Sequence, residues 1–391
     1  MAGMAAGSSG VMGRAGRFSA PEDAAPRSAG LRIGGRSLPL VSPARIYICG
    51  ITPYDVTHLG HAATFVWADV AASVMRLAGV EVQTCRNVTD VDDVLTRAAD
   101  KRGRPYDEFA LSQEYLFEQD MRLLSVRRPT YEPRARHHIP HVVQLGLALQ
   151  ATGAAYEREG HLFFRGAAVV GGLDRDDALD LAREYGDGPD DPLRDNPFDV
   201  PVWRPSGDDD PAWPSPWGWG RPGWHAECAA MAHAVFGPGV DLLAGGADLV
   251  FPHHAYQAAM AEAATGVAPF SRSRLSVGTV CLDGRKMAKS TGNLTLVQDL
   301  IGDHPAAAVR LLLLSRAWGT TWDFHVEDLA AAAERLDRLY AAAGRPNATE
   351  AATEAVVAAL LSDLNVPTAL DVAEAEGGAA ARHLLGVLAL G

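Results

Sequence analysis

His58-Leu59-Gly60-His61 places two imidazoles around a glycine, where a strand-like run gives way to a helix-like one. A helix N-terminus offers free N–H groups and the positive end of a dipole, so added imidazoles there make a good site for a triphosphate. Much later in the chain, Lys286-Met287-Ala288-Lys289-Ser290 is followed by Thr291-Gly292-Asn293. Two lysines three apart, with serine and glycine beside them, form a cationic loop suited to the same triphosphate. Read alone, such a loop is more often a solvated basic turn, and an HxGH tetrad also arises by chance. Cys49 stands at the end of the run before the tetrad, and a lone cysteine there is more often a small buried hydrophobe than a ligand.

The elements around these residues follow from local pattern. Residues 45–48 are β-prone, and a loop with Cys49, Gly50 and Pro53 follows. Residues 61–77 carry Phe65, Trp67, Val70, Val74 and Leu77 at helical spacing, with Gly79 as C-cap. Residues 80–88 return as a strand. This is one βαβ unit of a nucleotide-binding parallel sheet, which binds ligands at its strand-to-helix turns. TDVDD over 89–93 caps a helix start. Residues 108–124 and 138–151 predict amphipathic helices, and residues 161–164 a short strand. His137 and His138 read as surface or helix-start residues.

Residues 174–216, dense in Asp, Pro and Gly, predict a long irregular insertion with Asp208-Asp209-Asp210 solvated. Regular structure resumes with a helix over 224–236 and a strand over 240–250 that contains Gly245-Gly246-Ala247-Asp248. Phe251-Pro252-His253-His254 opens another helix, and residues 274–282 form another strand. Strands alternating with helices predict that the sheet begun at residue 45 is completed here. The expected fold is α/β: a Rossmann-like catalytic domain with an inserted segment, followed by a C-terminal helical domain. The expected divisions are a disordered leader over 1–40, a first catalytic half over 41–100 and an insertion over 101–216. A second half over 217–285 and a loop with helical domain over 286–391 complete the chain.

Composition narrows the class. The chain has 391 residues, 48% hydrophobic and 21% charged, as in ordinary globular proteins. A net charge of −13 argues against a broad electrostatic hold on nucleic acid. Four scattered cysteines, Cys49, Cys85, Cys228 and Cys281, suit a reducing cytoplasm better than a disulfide framework. The most apolar run, over residues 306–314, contains Arg310, so no membrane span is expected. A monomer is expected.

The tetrad HLGH and the loop KMAKS, in that order on a split sheet, closely resemble the two ATP motifs of class I aminoacyl-tRNA synthetases. CGITPYD, RNVTDVDD, GRPGWHAEC, GGADLVFPHH and SDLNVPTAL are similar to the cysteinyl branch, and the likeness runs from about residue 46 almost to the C-terminus. Within that branch the chain resembles the mycothiol-pathway ligases, which join cysteine to the amine of glucosaminyl-inositol. CGITPYDVTHLGHAAT has their wording, where tRNA-charging relatives usually read CGPTVYD. The chain also stops where those relatives continue into an anticodon-binding domain. The resemblance departs at Ala288, where serine is usual, and at RAWGTTWDF over 316–324, where a His-Tyr-Arg stretch is common.

The resemblance implies zinc, one per chain, held by Cys49, Cys228 and His253, with a fourth position open for the substrate thiolate. Gln257 stands where tRNA-charging relatives usually add a glutamate ligand. Thr89 and Trp224 match residues that hold the cysteine, and Thr52, in the loop with Gly50, is placed to touch it. His58, His61, Lys286, Lys289 and Ser290 would bind ATP with magnesium, while Gly245, Gly246 and Asp248 approach the adenosine or the acceptor. Asp248 is the expected general base. Cys85 and Cys281 match no ligand position and read as strand-core residues. The implied partners are L-cysteine, ATP and a small aminosugar, without tRNA. Three other readings are a ligase for another small amine, a truncated cysteinyl-tRNA synthetase, and an inactive binding paralogue.

Overall fold

The computed structural model describes residues 30–54, 57–207, 210–287, 292–346 and 349–391. Lys289 and Ser290 of the cationic loop, with Ala288, and most of the leader lie outside the described residues. So do Asp208 and Asp209 of the acidic run.

Four parallel strands form the central sheet, in the order Ser271–Val277, Val240–Gly246, Ala44–Ile51, Val82–Val88. The chain runs from Ala44–Ile51 outward to Val82–Val88 and later returns on the opposite side of Ala44–Ile51 with Val240–Gly246. That reversal is a topological switch point, and the crevice beyond the carboxyl ends of its strands is where such sheets bind ligands. The expected βαβ unit is present, with Leu59–Leu77 as its helix. His58 is the N-cap of that helix, accepting from the Gly60 N–H at 3.1 Å through Nδ1.

Strand alternation divides the core. Ile46 and Ile48 face the Leu59–Leu77 helix and the C-terminal helices, while Tyr47 and Cys49 face Cys85, Cys228, Phe236 and Leu243 on the other side. The helices Val326–Ala343, Glu350–Leu361, Val366–Glu376 and Gly378–Leu388 share the first of these cores. Arg310, the interruption in the apolar run, is fully buried on Ala306–Leu314. It pairs with Asp69 at 2.6 Å and donates to the carbonyls of Leu124 and Leu388, tying the first helix of the sheet to the C-terminus. A buried guanidinium is tolerated because its donors are taken up in this way. Among the described residues no helix is long and apolar enough to cross a membrane.

The structure differs from the sequence reading in four places. The strand expected over 240–250 ends at Gly246, and Ala247–Leu249, which includes Asp248, is a short helical turn. The stretch read as irregular contains the helix Arg175–Glu184, N-capped by Asp174, and the strand Val200–Pro205. That strand belongs to an antiparallel sheet with Ala155–Arg158, His161–Phe164 and Gly220–Pro222. Pro201 lies where the register slips between Leu162 and Phe163, and Pro205 ends the strand, so each sits where a missing N–H is tolerated. Long-range pairing outweighs the turn-like composition. The expected strand over 274–282 is two, Ser271–Val277 and Val280–Leu282, which break at Gly278 and join different sheets. Cys281 is accordingly half-buried on a small outer sheet rather than in the core.

Candidate active site

Three donors from separate elements converge beyond the switch point. Cys49 lies near the end of Ala44–Ile51, Cys228 in the second turn of Trp224–Phe236, and His253 in the wide turn Val250–His254. One ligand atom from each lies within 4.8 Å of the other two, and all three residues are buried. The register of Ala44–Ile51 against Val82–Val88 slips between Ile48 and Ile51, so a bulge re-aims the strand where Cys49 sits. Gly50 is required there, because a Cβ would stand 1.8 Å from the Asn87 carbonyl oxygen. Asn87 then spans the site: its Oδ1 accepts from the Gly50 N–H at 3.0 Å and its amide donates to the Cys228 sulfur at 3.4 Å.

The donor set fits a soft divalent metal. Burial, and then the neighbouring Cys228, push the Cys49 thiol well up, so two thiolates would not persist here without a cation. Burial, then His225 and His254, holds His253 well below the ordinary range, keeping it a neutral ligand. Two cysteines and a neutral imidazole are a zinc-type set with one position left open.

A relay not expected from the sequence orients the histidine. Asp187 Oδ1 lies 2.8 Å from His225 Nε2, and His225 Nδ1 lies 2.9 Å from His253 Nδ1. When the carboxylate accepts from His225 Nε2–H, neutral His225 must present Nδ1 as an acceptor. His253 then donates from Nδ1 and turns the lone pair of Nε2 toward Cys228 Sγ, 3.3 Å away. The one sequence signal is His225 beside Trp224; Asp187 lies in the stretch read as irregular. His225→Phe, which keeps a ring but ends the relay, is expected to weaken metal binding about 10- to 100-fold, as outer-shell losses do. Chelator competition measures this, and unchanged affinity would show that the relay does not orient His253.

The other predicted residues fall into two groups. Around the donors, the Thr52 and Thr89 hydroxyls are 2.7 Å apart, and Trp224 stacks on His253 at 4.0 Å between centroids. Gln257 is fully buried; its Oε1 accepts from the Cys49 thiol at 3.4 Å and its amide lies 3.5 Å from the Cys228 carbonyl. Around the helix start, the His58 and His61 rings stack at 3.8 Å. His58 forms a backbone bridge with Leu296, and the Leu59 N–H donates to the Thr295 carbonyl at 2.9 Å. The chain leaving the cationic loop is thereby bound to the HLGH tetrad. Gly246 leaves room for the Asp248 carboxylate, with Thr64 of the same helix just beyond, and Gly245 leaves room for the His254 ring.

Asp248 and Lys286 meet across this group at 2.6 Å. Burial lowers the lysine's pKa, but Asp248 and then Tyr185 outweigh it, and the net shift is upward. In RAWGTTWDF, Trp322–Asp323 forms a short strand that runs beside Val280–Leu282, the strand leading toward Lys286. Arg316 lies over the Trp322 ring at 3.7 Å.

This fold is that of a known class. Residues 40–334 match the model of the tRNA synthetases class I (C) catalytic domain, and the chain belongs to that family. Curated relatives named L-cysteine:1D-myo-inositol 2-amino-2-deoxy-alpha-D-glucopyranoside ligase include one from Streptosporangium roseum, 40% identical over 85% of this chain and 83% of that protein. Others come from Streptomyces griseus, 42% identical over 86% of each, and Mycobacterium ulcerans, 41% identical over 84% and 82%. Among solved structures, methionyl-tRNA synthetase of Mycobacterium tuberculosis with methionyl-adenylate superposes with a TM-score of 0.61 at 17% identity, covering 85% of this chain and 82% of that one. That likeness concerns the fold.

Proposed function

We propose that the protein ligates L-cysteine to the amine of glucosaminyl-inositol at the expense of ATP, through cysteinyl-adenylate, in mycothiol biosynthesis. The carrying observation is the buried Cys49–Cys228–His253 set beside Thr52, Thr89 and Trp224, at the switch point and next to the HLGH helix start. The naming of relatives at about 40% identity supports the same reading. The metal is zinc, and when bound it supplies a soft Lewis-acidic position that a thiolate fills and an alcohol does not.

In the first step a carboxylate oxygen of cysteine attacks the α-phosphorus of magnesium-bound ATP. The bond to the bridging oxygen breaks and pyrophosphate leaves. His58 and His61 at the helix start, with Lys286, Lys289 and Ser290 of the loop, stabilise charge gathering on the phosphate oxygens. Thr52, Thr89 and Trp224 orient the amino acid, and Gly245 and Gly246 lie at the strand end proposed to approach the nucleotide, their missing side chains making room for His254 and Asp248 as that of Gly50 does for Asn87. In the second step the neutral amine attacks the activated carbonyl, the C–O bond to AMP breaks, and the amine gives up a proton. Asp248 is the proposed acceptor of that proton, which requires Lys286 to leave it for the phosphates.

Purified zinc-loaded protein, cysteine and ATP are to be incubated with glucosaminyl-inositol or with tRNA, and the product mass read. The expected product is the cysteinyl amide of the aminosugar with one AMP released, and tRNA neither accepts cysteine nor competes. Charging of tRNA at a synthetase-like rate would overturn the acceptor assignment. A different small amine that reacts in place of glucosaminyl-inositol would overturn it too.

A further inference from the structure

The turn after the helix Arg175–Glu184 contributes to both halves of the site. Asp187 holds His225 and, through it, His253. Two residues earlier, the Tyr185 hydroxyl accepts from Lys286 Nζ at 3.3 Å, and the ammonium lies 5.5 Å from the centre of the tyrosine ring. The same ring stacks with Trp224 at 6.2 Å and 10°, and Trp224 in turn covers His253. His253, Trp224, Tyr185 and Lys286 thus form one continuous column from the metal-ligand set to the first lysine of the ATP loop.

We infer that Tyr185 is a positioning residue that couples occupancy of the cysteine pocket to the placement of Lys286, and so to ATP binding. This rests on the proposed role of Lys286. Cysteine beneath Trp224 fixes the indole, the indole fixes the tyrosine ring stacked on it, and the hydroxyl sets where the ammonium sits. Asp248 holds the same ammonium, so Lys286 has two partners whose balance a small movement of the tyrosine shifts. Ordering one site makes ordering the second less costly, which appears as reciprocal tightening of the two ligands.

The test is calorimetry on the full zinc-loaded chain with a non-cleavable α,β-methylene analogue of ATP and magnesium, with and without saturating cysteine. Cysteine is expected to tighten the analogue about fivefold in the wild type, the low end of coupling between two sites. Tyr185→Phe keeps the stacked ring and should lose most of that factor; Tyr185→Leu should lose all of it. In a Lys286→Ala background the tyrosine and phenylalanine proteins should not differ. Tyr185→Phe should raise the KM for ATP at saturating cysteine and, by reciprocity, that for cysteine at saturating ATP by a similar factor in pyrophosphate exchange, while the Kd of cysteine alone stays within about twofold.

Full coupling in Tyr185→Phe, an equal loss in the Lys286→Ala background, or no coupling in the wild type would each overturn the inference. The binding measurement involves no acceptor. Failure to form the aminosugar amide therefore counts against the proposed function and leaves Tyr185 to be judged by coupling alone.

Discussion

Cys228→Ser protein, purified beside wild type, is expected to carry well under half an equivalent of zinc where wild type carries about one. Cysteine-dependent ATP–pyrophosphate exchange should fall by roughly 10^3-fold or more, the scale of losing a determinant that acts in the activated complex. The reason is geometric as well as chemical. Cys228 faces His253 Nε2 at 3.3 Å and takes the Asn87 amide at 3.4 Å, so it touches both another member of the set and one of its supports. A serine hydroxyl is a shorter and harder donor and would leave His253 and Cys49 with an incomplete cage. Cys85 provides the control. It is fully buried in the same core, one strand away, paired in register with Tyr47, and stands outside the convergent set. Cys85→Ser should keep its zinc and its exchange activity. Elemental analysis decides the first point without any assay of turnover, and full zinc in Cys228→Ser would remove Cys228 from the ligand set.

Discrimination between cysteine and serine is the second large effect. Serine is expected to support exchange about 10^4-fold less well in kcat/KM, the range reached when a site is built around one specific polar contact. Shape cannot supply this, because the two amino acids differ by a single atom. If Trp224, Thr52 and Thr89 hold the amino acid as proposed, they would separate the two by little on size. The separation must come from the side-chain donor itself, since a thiolate suits a soft metal position and an alcohol does not. Comparable exchange with both amino acids would show that the metal does not read the side chain. Removal of the metal by a chelator should lower cysteine exchange toward the serine level, and restoring zinc should reverse it.

Local chemistry makes a good part of the molecule legible in its sequence. The helix over 224–236 agrees with the observed Trp224–Phe236, because Gly223 and Gly237 bracket an unbroken run of helix formers. TDVDD reads as a helix start, and Asp92 caps Asp93–Asp100 by accepting from the Val94 N–H. HLGH reads as a helix N-terminus, and His58 is the cap. These features depend on contacts within four residues, so the local order of residue types suffices. The metal-ligand set is named through a family resemblance rather than through spacing, since Cys49, Cys228 and His253 are scattered along the chain.

Tertiary structure alone decided the rest. Val200–Pro205 pairs with His161–Phe164 and Gly220–Pro222, and nothing in its Pro-rich surroundings announces those partners. Asp187 matters only because the fold brings it to His225, and Tyr185 only because the fold lays it between Trp224 and Lys286. The pairing of Asp248 with Lys286 likewise joins the short helical turn Ala247–Leu249 to the strand Arg285–Lys286 of a small separate sheet. Residue types and short-range spacing determined which groups could bind phosphate, and residue type with the family resemblance which could bind metal. Which of them meet depends on strand order, register and the packing of the antiparallel sheet against the parallel one, terms set by contacts between residues far apart in the chain.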